Sequence, residues 1–252
     1  MRKVNILWTG GWDSTYRMVE LSKENVTVQA IYCCDFGRHS IEKEKETIEE
    51  IRKALIEKPE TKATFLPICY IDIENIPANS NITKAYHNIC EKVKLGSQYE
   101  WLARLTQIYP NLEIGIEKPA GEYSGCVDAI NTFGRLKSND NGFEIDREYS
   151  SDDCISLFGG FCFPIINMTE LDMVRNIREW GYEDIMKKIW FCHSPVNGKS
   201  CGVCRPCQQK MECGMAFLVD KRGQERYRVY KLIKNVFGNK VANIISKVLR
   251  RL

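Results

Sequence analysis

The order of apolar runs, glycine turns and amphipathic stretches at the N-terminus limits this chain to a small set of folds. Residues 4–8 form a short apolar run that ends in Thr9-Gly10-Gly11, and a helical pattern follows through Tyr16, Met18, Val19 and Leu21. Residues 26–32, rich in β-branched side chains, read as a second strand. Residues 40–58 are charge-laced, with Ile41, Ile48, Ile51 and Leu55 on one helical face, and residues 64–73 read as a third strand. Strand, turn, helix, strand, helix, strand at this pitch predicts an α/β fold, a Rossmann-like parallel sheet with flanking helices. Farther on, residues 82–109 read as helix, 112–116 as strand, 138–153 as a polar loop or lid, and 161–166 as a short strand. Thr169 is placed to cap a helix over 170–180. We expect an α/β domain over 1–185, a zinc knuckle over 186–215 and a basic amphipathic helical tail over 216–252.

The knuckle rests on Cys192, Cys201, Cys204 and Cys207. Two overlapping Cys-x-x-Cys pairs let neighbouring sulfurs reach one ion without strain, and a thiolate nine residues upstream closes a tetrahedron. Gly202 and Pro206 suit the turns this needs. Four protein ligands leave no open position, so the expected metal is a structural Zn²⁺. His193 stands beside Cys192 as an alternative fourth ligand, and a redox Cys-x-x-Cys or scattered buried thiols are the other readings of the same residues.

Charge is distributed unevenly. Residues 221–252 carry ten Lys or Arg against Glu225, a charge of +9, which leaves −6 for residues 1–220 of the +3 total. Val229, Ile233, Val236, Phe237, Val241, Ile244, Ile245 and Val248 run near helical spacing, and Gly238 predicts two short helices rather than one. A docked terminal helix with a solvated basic face, a nucleic-acid or acidic-partner contact, and a membrane-surface contact are the three readings of this tail. No stretch has the length of a transmembrane segment, and twelve cysteines without framework spacing or a leader-like segment predict a reducing, cytoplasmic setting.

The turn after the first strand carries the chemistry. Thr9-Gly10-Gly11-Trp12-Asp13-Ser14-Thr15 lies where a buried strand passes into a helix, a place where free N–H groups and the positive end of the helix dipole attract phosphate. It is not a Walker loop, because Gly-x-x-x-x-Gly-Lys is absent. The segment resembles the Ser-Gly-Gly-x-Asp-Ser pyrophosphate loop of the N-type ATP pyrophosphatases, with threonine in first place. Within that superfamily the chain is most similar to the 7-cyano-7-deazaguanine synthase family. Asp35-Phe36-Gly37-Arg38-His39 resembles that family's Asp-Tyr-Gly-Gln-Arg-His, Phe163-Pro164-Ile165-Ile166 its late Pro-Leu segment, and the four cysteines its zinc pattern.

The resemblance implies an adenylating ligase that uses ATP with Mg²⁺, a deazapurine carboxylate and ammonia to make an amide and then a nitrile. It implies that Thr9, Gly10, Gly11, Ser14 and Thr15 hold pyrophosphate and that Asp13 orients the loop or the Mg²⁺. Arg38 and His39 would stabilise phosphate or shuttle a proton, against a salt bridge and a helix-capping residue as their plain readings. Tyr123 and Asp128 are the candidate substrate contacts. The chain departs from the family's pattern at three places. No Arg-Asn pair stands near residues 96–101, the substrate segment at 122–128 lacks its terminal arginine, and Glu170 follows Thr169 where a lysine is usual. A tRNA-thiolase type of modifier using Cys33, Cys34, Cys126 or Cys162, and a non-catalytic adenine-nucleotide module, remain as alternatives, and a homodimer stays open.

Overall fold

The computed structural model describes residues 1–37, 40–118 and 125–250. The chain runs β1 (Arg2–Leu7), α1 (Trp12–Ser22), β2 (Val26–Cys34), α2 (Ile41–Glu57), β3 (Thr64–Phe65) and β4 (Cys69–Asp72). It continues through α3 (Ser80–Cys90), α4 (Gln98–Leu105), β5 (Leu112–Glu113), α5 (Gly125–Phe133), β6 (Leu136–Asn139), β7 (Gly142–Ile145), α6 (Asp152–Phe158) and β8 (Phe161–Cys162). The C-terminal part comprises α7 (Glu170–Trp180), α8 (Glu183–Met186), α9 (Arg205–Glu212) and α10 (Lys221–Leu249).

The main sheet is parallel, in the order β3-β2-β1-β5-β8, with β4 also pairing with β2. Alternation along the two central strands divides the core, since successive side chains point to opposite faces. Val4, Ile6, Trp8, Val28, Ala30 and Tyr32 pack with α1, α2, α7 and α8, whereas Leu7, Ile31 and Cys33 pack with α3 to α6. Both faces are covered, which is why β1 and β2 read as nearly continuous apolar runs. The inner residues expected for α2, Ile41, Ile48, Ile51 and Leu55, are all buried. A buried two-pronged pair, Arg17 Nε to Glu113 Oε2 at 2.7 Å and Nη2 to Oε1 at 3.1 Å, fastens α1 to β5.

Several expected elements differ in extent. The third strand, expected over 64–73, is split into β3 and β4, which meet different parts of the long β2. The helix expected over 82–109 is two helices, broken across 91–97 where Gly96 and Ser97 precede α4. The expected strands 112–116 and 161–166 shorten to β5 and β8. The polar segment 138–153 is not a loop or lid: β6 and β7 pair antiparallel through Asn139-Asp140-Asn141-Gly142, and α6 begins at Asp152. Its alternation was weak because three of the four β6 residues face solvent. Thr169 caps α7 as expected, in a reciprocal capping box with Asp172. Gly238 interrupts α10 with φ 79° and ψ 173°.

Candidate functional site

The strand order reverses direction around β1: the chain moves outward to β2 and β3, then returns to the other side with β5 and β8. Open parallel sheets bind ligands beyond the carboxyl ends of the strands at such a point. Residues 9–15 follow β1 there. Gly10 takes φ +71°, and a Cβ at that position would lie 2.9 Å from Ile48 Cγ2, so the turn needs glycine. Trp8 Nε1 donates to Thr15 Oγ1 at 3.0 Å, and the Thr9 and Ser14 hydroxyls lie 3.3 Å apart. Gly11 occupies the cap position of α1 with no side-chain hydrogen bond to the helix. The first turn of α1 therefore has no side-chain cap for its backbone N–H groups, the kind of helix start that attracts anions.

A second chain segment meets this turn. After β5, Gly115 passes so close to α1 that a Cβ there would stand 2.8 Å from the Ser14 nitrogen. Lys118 N donates to Met168 O at 2.8 Å, which ties the same segment to the entry of α7. Together these contacts bring Glu117 and Glu170 beside Asp13, with one carboxylate oxygen from each within 4.8 Å of the others. Lys210, itself buried, forms an ion pair with Glu170 and lies 5.6 Å from the Trp12 ring centre. Asp13 Oδ1 and Glu117 Oε2 are buried and have no hydrogen-bond partner among the described residues. Burial pushes the Asp13 carboxyl up to about 6, with Glu170 adding and Lys210 opposing. Burial, then Asp13 and Glu170, pushes Glu117 up to about 8. Three carboxylates share one ammonium, an arrangement that favours an added cation with hard oxygen ligands.

A cluster of four cysteines forms the opposite wall. Cys192, Cys201, Cys204 and Cys207 are all buried and converge. Their sulfurs lie 4.0 Å (Cys201–Cys207), 3.9 Å (Cys192–Cys204) and 3.3 Å (Cys204–Cys207) apart. A tetrahedral Zn²⁺ with bonds of about 2.3 Å separates its sulfurs by about 3.8 Å, so the cluster fits that ion. Cys201 N donates to Cys192 Sγ at 3.2 Å, and Val203 N and Cys204 N donate to Cys201 Sγ, contacts that favour thiolates. His193 instead lines the cleft over the turn with Thr9, Asp13, Trp190 and Lys210, so Cys192 is the fourth corner of the cluster. Trp190 N donates to Gly10 O at 2.9 Å, and α9, capped by Cys204, carries both Cys207 and Lys210. The cysteine cluster and the glycine turn are thus physically joined.

Of the expected site residues, Thr9, Gly10, Gly11, Asp13, Ser14 and Thr15 form the turn together. Arg38, His39 and Tyr123 lie outside the described residues. Asp128 lies on α5, whose buried residues belong to the α3–α6 side of the sheet, and it is not among the residues lining the cleft. Cys33, Cys126 and Cys162 are buried; burial pushes the Cys33 thiol up to about 12, Cys162 up to about 11 and Cys126 higher still. Burial also raises Cys34. Reactive cysteines need a depressed pKa, so these are core thiols. Glu117 and Lys210 escaped the sequence reading. The position of Glu117 just beyond a parallel strand, and of Lys210 one helical turn past Cys207, were the available signals.

No family model and no curated protein sequence matches the chain. Among solved structures, that of a predicted subunit of tRNA methyltransferase from Methanocaldococcus jannaschii DSM is distantly similar, with 16% identity and a TM-score of 0.29. The match covers 76% of this chain and 93% of that one.

Proposed function

We propose that the protein is an ATP-dependent adenylating enzyme resembling the 7-cyano-7-deazaguanine synthases. The observation that carries this reading is the uncapped glycine turn opening α1, directly beside the orphaned oxygens of Asp13 and Glu117. An anion site next to a cation site is what a metal-bound triphosphate requires. Backbone N–H groups of the first turn, with the Thr9 and Ser14 hydroxyls, bind the pyrophosphate portion, while Thr15, fully buried and accepting from Trp8 Nε1, supports the turn from behind. Asp13 and Glu117 would hold a Mg²⁺, which would offset charge on the phosphate oxygens. Glu170 is already paired with Lys210.

Lys210 also answers the missing lysine at position 170. The cleft keeps one buried ammonium, delivered from the zinc knuckle instead of from α7. In the reaction, a substrate carboxylate attacks the α-phosphorus, an acyl adenylate forms and pyrophosphate leaves into the turn. Ammonia displaces AMP and loses a proton to give the amide; a second ATP adenylates the amide oxygen with release of pyrophosphate, and that oxygen leaves with AMP as the two N–H protons are lost to give the nitrile. The protein contributes positioning and charge stabilisation in a partly dry cleft. The thiolase reading loses support because its candidate cysteines are core thiols. A purely structural role leaves unexplained why carboxylate oxygens are buried without partners.

The test is to incubate the zinc-loaded protein with Mg-ATP, ammonium and 7-carboxy-7-deazaguanine and to analyse products by mass spectrometry. AMP, pyrophosphate and an amide or nitrile are the expected products. Formation of ADP and phosphate, or no nucleotide binding by calorimetry, would overturn the adenylating mechanism. ATP binding without a deazapurine product would retain the mechanism and reassign the acceptor.

A further inference from the structure

The C-terminal helix carries two apolar faces, and only one of them is used. On the inner face Tyr227, Tyr230, Ala242 and Leu249 are buried against the zinc knuckle, with Ile233 and Ile245 packed beside them. Gly238 turns the chain back on itself: Tyr230 Oη donates to Asn243 Oδ1 at 3.3 Å, and Arg250 Nη1 donates to Ser194 Oγ at 3.3 Å. The result is a helical hairpin standing on the knuckle. On its outer side, Val229, Leu232 and Val236 recur at i, i+3 and i+7, and Val241, Ile244 and Val248 repeat that spacing in the second half. All six are exposed, Leu232 by 65% and Ile244 by 67%, and Phe237 at the hairpin tip is 65% exposed. Exposed aliphatic side chains at helical spacing on both halves of a hairpin are what water least tolerates on a free surface.

We propose that this outer face docks on an anionic lipid bilayer surface. Between residues 226 and 250 the hairpin holds Arg226, Arg228, Lys231, Lys234, Lys240, Lys247 and Arg250, and no acidic residue. Such a mixture matches an interface whose acyl boundary takes apolar side chains while its headgroups carry negative charge. Arg228, Lys231, Lys240 and Lys247 are exposed and alternate in sequence with the row, whereas Arg250 turns inward to Ser194. RNA needs the cations but has no use for six exposed aliphatic residues. A second copy would bring its own basic hairpin against this one. The hairpin lies on the surface rather than crossing it, because no helix among the described residues is long and apolar enough to span a membrane. None of the row's residues lines the cleft over the glycine turn, so the docking reading does not depend on the ATP chemistry.

The experiment is flotation of the full chain with phosphatidylcholine vesicles, with and without phosphatidylglycerol, at low and high salt. The expected result is flotation with the anionic vesicles only, weakened by salt. The triple variant Leu232→Ser, Phe237→Ser, Ile244→Ser changes only exposed positions, and it is expected to lower vesicle affinity by at least about tenfold with an unchanged circular dichroism spectrum. No flotation with anionic vesicles, or flotation unaffected by the triple variant, would overturn the proposal. So would a wild-type dimer in light scattering that the same substitutions dissociate without any lipid binding, because the face would then belong to a second copy. Salt-sensitive RNA binding with no lipid binding would likewise overturn it.

Discussion

Replacing Glu117 by glutamine should stabilise the metal-free protein, and the size of the gain follows from the site. An unfolded glutamate titrates at 4.5, and the folded environment pushes Glu117 up to about 8. Between those values the folded chain keeps a proton that the unfolded chain releases. Stability is therefore lost as pH rises through that window, at about 1.4 kcal/mol per pH unit at most. By pH 7 the undiscounted loss is about 3 kcal/mol, and partial solvent contact together with sharing among Asp13, Glu170 and Lys210 reduces it to about 2 kcal/mol. For a chain of this length each kcal/mol moves the midpoint by about 2–4 °C, so Glu117→Gln should melt about 4–8 °C higher at pH 7 and higher still at pH 8. At pH 5 the wild-type carboxyl is already protonated in the fold, and the two proteins should melt together. Thermal melts of zinc-loaded, magnesium-free protein at pH 5 and pH 8 test this, and adding Mg²⁺ should then raise the wild type more than the variant. A variant that melts lower at pH 8, or an offset equal at both pH values, would refute the view that this carboxylate is held at a cost to the fold for cation binding.

Two further outcomes follow from the same cleft. Lys210→Met leaves Glu170 buried without its partner and should cost about 3–5 kcal/mol in denaturant melts, whereas adding Glu170→Leu should recover most of it. The double variant should still bind pyrophosphate more weakly in calorimetry, since the ammonium is gone. Removing zinc with a chelator, or by Cys204→Ser, should release one equivalent of metal and loosen α9. Because Lys210 follows Cys207 on that helix and Trp190 N bonds to Gly10 O, pyrophosphate affinity should fall with the metal content measured by plasma mass spectrometry.

The parts of the molecule legible in the sequence are those set by near neighbours along the chain. The glycine turn was readable because a strand, two glycines and a helix start lie within a few residues and their backbone demands are local. Cysteine spacing likewise encodes which sulfurs can reach one ion, and capping by Thr169 and the break at Gly238 follow from single-residue preferences. Elements with few buried residues were misread. The β6–β7 hairpin looked like a loop because most of β6 faces solvent, and the broken strand 64–73 looked whole because its two pieces share one apolar character.

The sequence by itself determined the parallel α/β scaffold, the glycine turn after the first strand and the grouping of four cysteines, because backbone periodicity and ligand spacing are properties of contiguous residues. Only the tertiary structure decided the charge arrangement of the cleft. Asp13, Glu117, Glu170 and Lys210 come from four separate segments, and the close passage of Gly115 over α1 together with the rigid geometry of the knuckle brings them to one place. Electrostatic energy depends on distance through space and on burial, and neither is written in the spacing of residues along a chain.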